Sequence, residues 1–80
     1  MNDVPEMAKL RWQCRRGTLE LDFVLERYLE GPFATADAVE RARFRELLSA
    51  QDPELQRWIL NGVAHPDPNF QPLIEKIRGI

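Results

Sequence analysis

The sequence predicts an all-α fold, a compact five-helix bundle that makes residues 1–80 one small domain. Three observations predict it. Apolar residues recur at spacings of three and four in five separate segments. No segment alternates apolar and polar residues with period two over a useful length, so no sheet is expected. Breakers fall between the segments, at Gly17, Gly31-Pro32, Asp52-Pro53 and Asn61-Gly62.

Asp3 to Arg16 reads as the first helix. Asp3 and Glu6 have capping-box spacing, and Pro5 is tolerated in a first turn. Met7, Leu10 and Cys14 form its apolar edge, and Gly17 is a candidate left-handed C-cap. Thr18 to Glu30 reads as the second helix. Leu21, Val24, Leu25, Tyr28 and Leu29 make a full stripe, with Thr18 as the expected N-cap. The third helix is predicted over Thr35–Ala50, with capping-box spacing at Asp37 and Glu40 and a buried edge of Phe44, Leu47 and Leu48. Asp52-Pro53 reads as the N-cap and N1 pair of the fourth, which turns Leu55, Trp58 and Ile59 inward. The fifth spans about Asp67 to Arg78. Its stripe is Phe70, Leu73, Ile74 and Ile77, and Pro72 confines the regular part to its C-terminal side.

Composition excludes several classes of function. The chain is 44% hydrophobic and 30% charged, which fits a globular protein rather than a disordered one. No apolar run approaches the roughly 20 residues of a transmembrane helix, so no membrane insertion is expected. Neither a signal peptide nor a transit peptide is recognisable in Met1 to Leu10. The net charge of -2 argues against nucleic acid as a partner. A single Cys and a single His leave no Cys-rich metal site and no disulfide framework. Cys14 reads as a small apolar residue in a helix. A chain this short buries only about 60% of its unfolded surface, which leaves little material to enclose a substrate. A binding module is favoured over an enzyme.

No catalytic constellation emerges. His65 lies in a Pro-rich turn without an acid or nucleophile beside it in sequence, and reads as a loop surface residue. Thr18 and Thr35 look like helix caps. Glu20 and Asp22 point about 200° apart on a helix, so they make no acid/base dyad. Arg16-Gly17-Thr18 holds one glycine and is no phosphate loop. Arg41, Arg43 and Arg45 are splayed around their helix by a spacing of two, which suits a solvated surface.

The segment from Trp12 to Asp22 stands out, because Arg15, Arg16, Gly17, Glu20 and Asp22 meet at one helix–helix corner. Two compatible readings apply. In one, Gly17 ends a helix while the arginines and acids complement the flanking helix dipoles, each such interaction worth about 0.3–1 kcal/mol. In the other, Gly17 admits a partner's backbone while Arg16 and Glu20 present a fixed charged pair. Leu19 and Phe23 fall opposite the core stripe of the second helix. Either that helix is sandwiched between others, the commoner outcome in a small bundle, or an apolar patch beside the corner marks a protein-binding face.

Arg16-Gly17-Thr18-Leu19-Glu20 fits the RGxxE signature of the succinate dehydrogenase assembly factors, the small flavinylation-promoting proteins called SdhE in bacteria and assembly factor 2 in mitochondria. Trp12, Cys14, Arg15, Leu21 and Asp22 stand where that family has a W-x-C-R-R-G-x-x-E-L-D block, and Asp52-Pro53-x-Leu55-x-x-Trp58 resembles its second block. The resemblance covers about Leu10 to Leu60. It implies a five-helix bundle that binds the flavoprotein subunit of succinate dehydrogenase, and often of fumarate reductase, and promotes covalent attachment of FAD to a histidine of that partner. It implies no catalytic, metal or cofactor-binding residue here, and no stably bound FAD. Carried over by position, Arg16, Gly17 and Glu20 are the partner-binding motif, with Arg15 and Asp22 beside them, while Trp58 sustains the core. A bacterial cytoplasm is the expected compartment. Members of this family have also been described as antitoxins that pair with a membrane-associated toxin, which is the alternative. A free-standing enzyme or FAD carrier is a third reading, disfavoured by the missing phosphate loop and the small core.

Overall fold

The computed structural model describes residues 3–79, with side chains from residue 6 onward. Helix α1 spans Asp3–Gln13 and ends three residues before the predicted Arg16. The Cys14 amide donates to the carbonyls of Leu10 and Arg11, and the Arg15 amide to that of Trp12, so the last turn tightens and the chain leaves the helix. The capping box expected at Asp3 involves a side chain outside the described residues. Helix α2, Leu19–Glu30, buries Leu21, Leu25, Tyr28 and Leu29 as its stripe predicts. Thr18 occupies the N-cap position without capping. Its hydroxyl instead accepts from Gln56 Nε2 at 3.2 Å.

A single turn, α3, over Pro32–Thr35 was not anticipated. Pro32 does end α2, but a proline's preset φ also opens a new helical turn. That turn drives Phe33 into the core against Tyr28 and Phe44, with ring centroids 6.2 and 5.5 Å away. Thr35 closes the turn rather than capping the next helix, its hydroxyl donating to the Pro32 carbonyl. Helix α4 covers Ala38–Leu47, narrower at both ends than predicted. Asp37 caps it by accepting the Glu40 amide at 2.8 Å. Glu40 does not return the bond, so the capping box is only half made.

Helix α5 is short, Asp52–Leu55, and runs on as a π turn over Gln56–Leu60. The Asn61 amide reaches back five residues to the Gln56 carbonyl. Gln51, not Asp52, holds the N-cap position, and Glu54 Oε1 accepts the Gln51 amide. This offset of one residue releases the Asp52 carboxylate for another task. A 3₁₀ turn, Pro68–Phe70, leads into α6, Gln71–Arg78, with Pro72 in its first turn. The buried residues join in one core cluster, with Met7, Val24 and Trp58 partly buried against it. Helix α2 lies at its centre, packed on α1, α3, the π turn and α6. Five main helical segments and one added turn thus realise the predicted all-α bundle, and no strand occurs among the described residues.

Glu40 ties three of these elements together. Tyr28 Oη on α2 donates to Glu40 Oε2 at 2.5 Å, and Lys76 Nζ on α6 donates to Oε1 at 2.7 Å. Burial pushes the Glu40 carboxyl upward, but the bonds from Lys76 and Tyr28 outweigh it and hold the group below its ordinary 4.5. Burial, then the bond to Glu40, raises the Tyr28 hydroxyl far above its usual range. Because the folded carboxyl is the stronger acid, its contribution is complete above 4.5 and is lost as pH falls through the folded value. Glu40→Gln is therefore expected to cost about 1–3 kcal/mol at pH 7. It should also flatten the acid limb of stability against pH, measured as urea midpoints from pH 7 to 3. An unchanged acid limb would show that Glu40 is not the group responsible.

Candidate functional site

The loop from Cys14 to Thr18 joins α1 to α2 at one end of the bundle, and Arg16 organises it. Its guanidinium donates from Nε to Asp52 Oδ1 at 2.8 Å and from Nη1 to the carbonyls of Gln13 and Leu48, each at 3.0 Å. Nη2 donates to the Ala50 carbonyl at 2.7 Å. Gln13 is the last residue of α1, and Leu48 and Ala50 follow the last turn of α4, so these are carbonyls that a helix end leaves without a partner. A cation at two helix C-termini also meets the negative ends of both dipoles. The side chain is only 16% exposed. Four bonds engage a group with five N–H donors. The expected Arg16–Glu20 pair is therefore not formed, and Arg16 pairs with Asp52 instead.

The backbone of the same residue is held too. The Arg16 amide donates to Asp22 Oδ1 at 2.6 Å. Asp22 in turn opens α2, its amide bonded to the Thr18 carbonyl. Between these anchors Gly17 adopts φ +88°. The left-handed conformation was expected, but its place is a loop corner beyond α1 rather than the helix cap. A Cβ built on Gly17 would meet nothing within 4 Å, so the glycine serves backbone geometry and faces open space. Arg15, itself exposed, pairs with the half-buried Glu26 at 3.6 Å. Glu20 is exposed on the first turn of α2 and has no ion-pair partner among the described residues.

The three most exposed large apolar side chains among the described residues lie on the helices that flank this loop: Trp12, 76% exposed, near the end of α1, and Leu19 and Phe23, 87% and 62% exposed, on the first two turns of α2. The sandwiched arrangement favoured above does not cover them. Arg11 pairs with Glu30 and Arg15 with Glu26, which sets an antiparallel register between α1 and α2. Continued, that register would place positions 18 and 22 opposite Phe23 and Leu19. The chain has already turned back there, so α1 stops short of covering them. Arg27 stacks over the Phe23 ring at 5.5 Å.

The remaining sequence candidates resolve plainly. Cys14 is fully buried, one residue past the end of α1 rather than within it, and burial, reinforced by the Glu26 charge, pushes its thiol up to about 12. His65 is not a free surface residue. It is half-buried, stacked on Phe70 and tilted against Trp58, with centroids 4.6 and 4.2 Å away, and its Nδ1 accepts the Asp67 amide. Arg41 donates to the carbonyls of Phe33 and Ala34, and Arg45 pairs with Glu6, so two of the three α4 arginines bind within the fold. No group of three or more His, Cys, Asp and Glu is placed to hold a metal ion among the described residues. No helix among the described residues is long and apolar enough to cross a membrane. Sequence reasoning missed Asp52, whose Asp-Pro context reads as a cap, and Trp12, whose exposure nothing in its helical spacing reveals.

Exposed apolar side chains and an unpaired acid beside the Gly17 corner are features that suit a protein-binding surface. The Sdh5 family, described as the flavinator of succinate dehydrogenase, matches residues 8–80, and the chain belongs to it. Its relatives include the FAD assembly factor SdhE of Coxiella burnetii, 41% identical over 98% of this chain and 95% of that protein. The FAD assembly factor SdhE of Methylococcus capsulatus is 43% identical over 94% and 90%. The protein of the same name from Xylella fastidiosa is 39% identical over all of this chain and 82% of its own length. No solved structure gives a significant match. The toxin-partner alternative draws no support from these names.

Proposed function

We propose that this chain is an assembly factor that binds the flavoprotein subunit of succinate dehydrogenase and promotes covalent attachment of FAD to it. One observation carries the reading: the segment bearing the RGxxE signature is an exposed, internally hydrogen-bonded corner of a chain that belongs to the flavinator family. The binding site we assign is Arg15, Arg16, Gly17, Glu20 and Asp22, rimmed by Trp12, Leu19 and Phe23. The role is non-catalytic. A binder accelerates its client's chemistry only by holding better the state in which that chemistry proceeds, here the one in which flavin and acceptor histidine meet. Gly17 admits the client backbone closely, and Glu20 offers a carboxylate to a client cation. The fumarate reductase flavoprotein is a second client in this reading, and the bacterial cytoplasm is the compartment.

FAD itself belongs to the client. Arg16, the most obvious cation for a pyrophosphate, already has its donors on Asp52 and three carbonyls, which supports the absence of a flavin site at this corner. Titrating FAD against the isolated protein is expected to show no quenching of flavin fluorescence at micromolar concentrations, whereas saturable tight binding would favour a FAD carrier. The reading as a whole is tested by expressing the succinate dehydrogenase flavoprotein subunit in cells that lack their own factor. Flavin fluorescence of the denatured subunit in a gel should depend on this chain. Equal fluorescence with and without it would leave a helical binding module with another client.

A further inference from the structure

The geometry points to Asp52 as a positioning residue of the binding corner, and to Arg16 as a residue that acts through Asp52 rather than by touching the client. This inference rests on the functional reading above and assigns roles within that site. Asp52 lies on α5, 36 residues from Arg16, yet it takes the Nε donor at 2.8 Å. It is free to do so because Gln51 occupies the N-cap position. The guanidinium then reaches the carbonyls of Gln13, Leu48 and Ala50, so one side chain buckles the ends of α1 and α4 to the start of α5. A second link runs beside it, from Gln56 Nε2 to the Thr18 hydroxyl. The Arg16 side chain is anchored below and its amide is held by Asp22, so residue 16 is tied at both ends next to the Gly17 corner.

An arginine that is 16% exposed with four internal bonds has little left to offer a partner. A client reaches Gly17, Glu20 and the apolar rim instead. The two RGxxE charges therefore divide the labour. Arg16 holds the corner from within, and Glu20 faces outward.

The test is a double-mutant cycle of Arg16→Ala and Asp52→Ala on the full chain, with two readouts. The first is hydrogen exchange of the backbone amide at position 16, which survives both substitutions and reports the bond to Asp22. The second is the rate of covalent flavin formation on the client. Each single variant should speed the exchange and slow flavin formation, Asp52→Ala roughly tenfold, the scale of one lost charge-assisted hydrogen bond, and Arg16→Ala, which loses all four bonds, at least as much. The double variant should be no worse than Arg16→Ala alone. Glu54→Ala is the control. It removes a bond at the start of the same helix without touching Arg16, and should lower the melting temperature while leaving both readouts near wild type. Where Asp52→Ala melts too low to measure, Asp52→Asn keeps the shape, removes the charge and should shift both readouts less in the same direction. Multiplying effects in the double variant, or wild-type exchange in the Asp52 variants, would overturn the inference. A wild-type chain without effect on the flavin refutes the functional reading, while the exchange cycle still decides whether Asp52 positions the corner.

Discussion

Gly17→Arg is expected to abolish client binding and covalent flavin formation while the bundle still folds. A non-glycine residue at φ +88° carries a backbone cost of about 1–2 kcal/mol. For a domain of this size that lowers Tm by roughly 4–8 °C per kcal/mol. Nothing within 4 Å of the added Cβ raises the cost further, since the position opens to solvent. The same openness makes the substitution effective, because the new side chain occupies the space through which a partner approaches. Circular dichroism and thermal melting of the variant, beside co-purification with the flavoprotein subunit, separate the two effects. A variant that is unfolded at 25 °C would mean that the corner's chief role is to hold the fold together, and the assignment of the binding site would fail.

The apolar rim carries the second large expectation. Trp12→Ala, Leu19→Glu and Phe23→Glu should each weaken client binding by about 2 kcal/mol or more, the range of a central interface side chain. Stability should move by no more than about 0.5 kcal/mol for Trp12 and Leu19. These side chains are 76% and 87% exposed and fill no cavity. Phe23, under Arg27, is expected to cost slightly more. Titration calorimetry with the client, set against urea midpoints of the free variants, gives both numbers. Binding that survives all three substitutions would move the interface away from this end of the bundle.

Much of the fold was legible in the sequence because most of it follows from local rules. The stripe of α2 and the apolar edge of α6 have the 3.6 period of half-buried helices, and nearly all of those residues are buried. Phe33 was not legible, since a four-residue turn leaves no period to read. Side-chain caps failed where long-range partners competed with local ones. Thr18 gave its hydroxyl to Gln56 rather than to its own helix, and Glu40 chose Tyr28 and Lys76 over its capping box. The site was legible as a motif but not as a mechanism. Residues 16 to 20 could be singled out from their order alone, yet the Arg16–Asp52 bond spans 36 residues and has no local signal. Nor could periodicity alone show whether Leu19 and Phe23 were covered, because that depends on where α1 stops.

The most direct measurement is reconstitution from purified parts. The flavoprotein subunit, produced without covalent flavin, would be incubated with FAD in the presence and absence of this chain, and covalent flavin followed over time after denaturation. The chain is expected to accelerate its appearance, with Gly17→Arg matching the reaction that lacks the factor. Identical time courses with and without the wild-type chain, for a client shown to be competent with another factor, would contradict the assembly role.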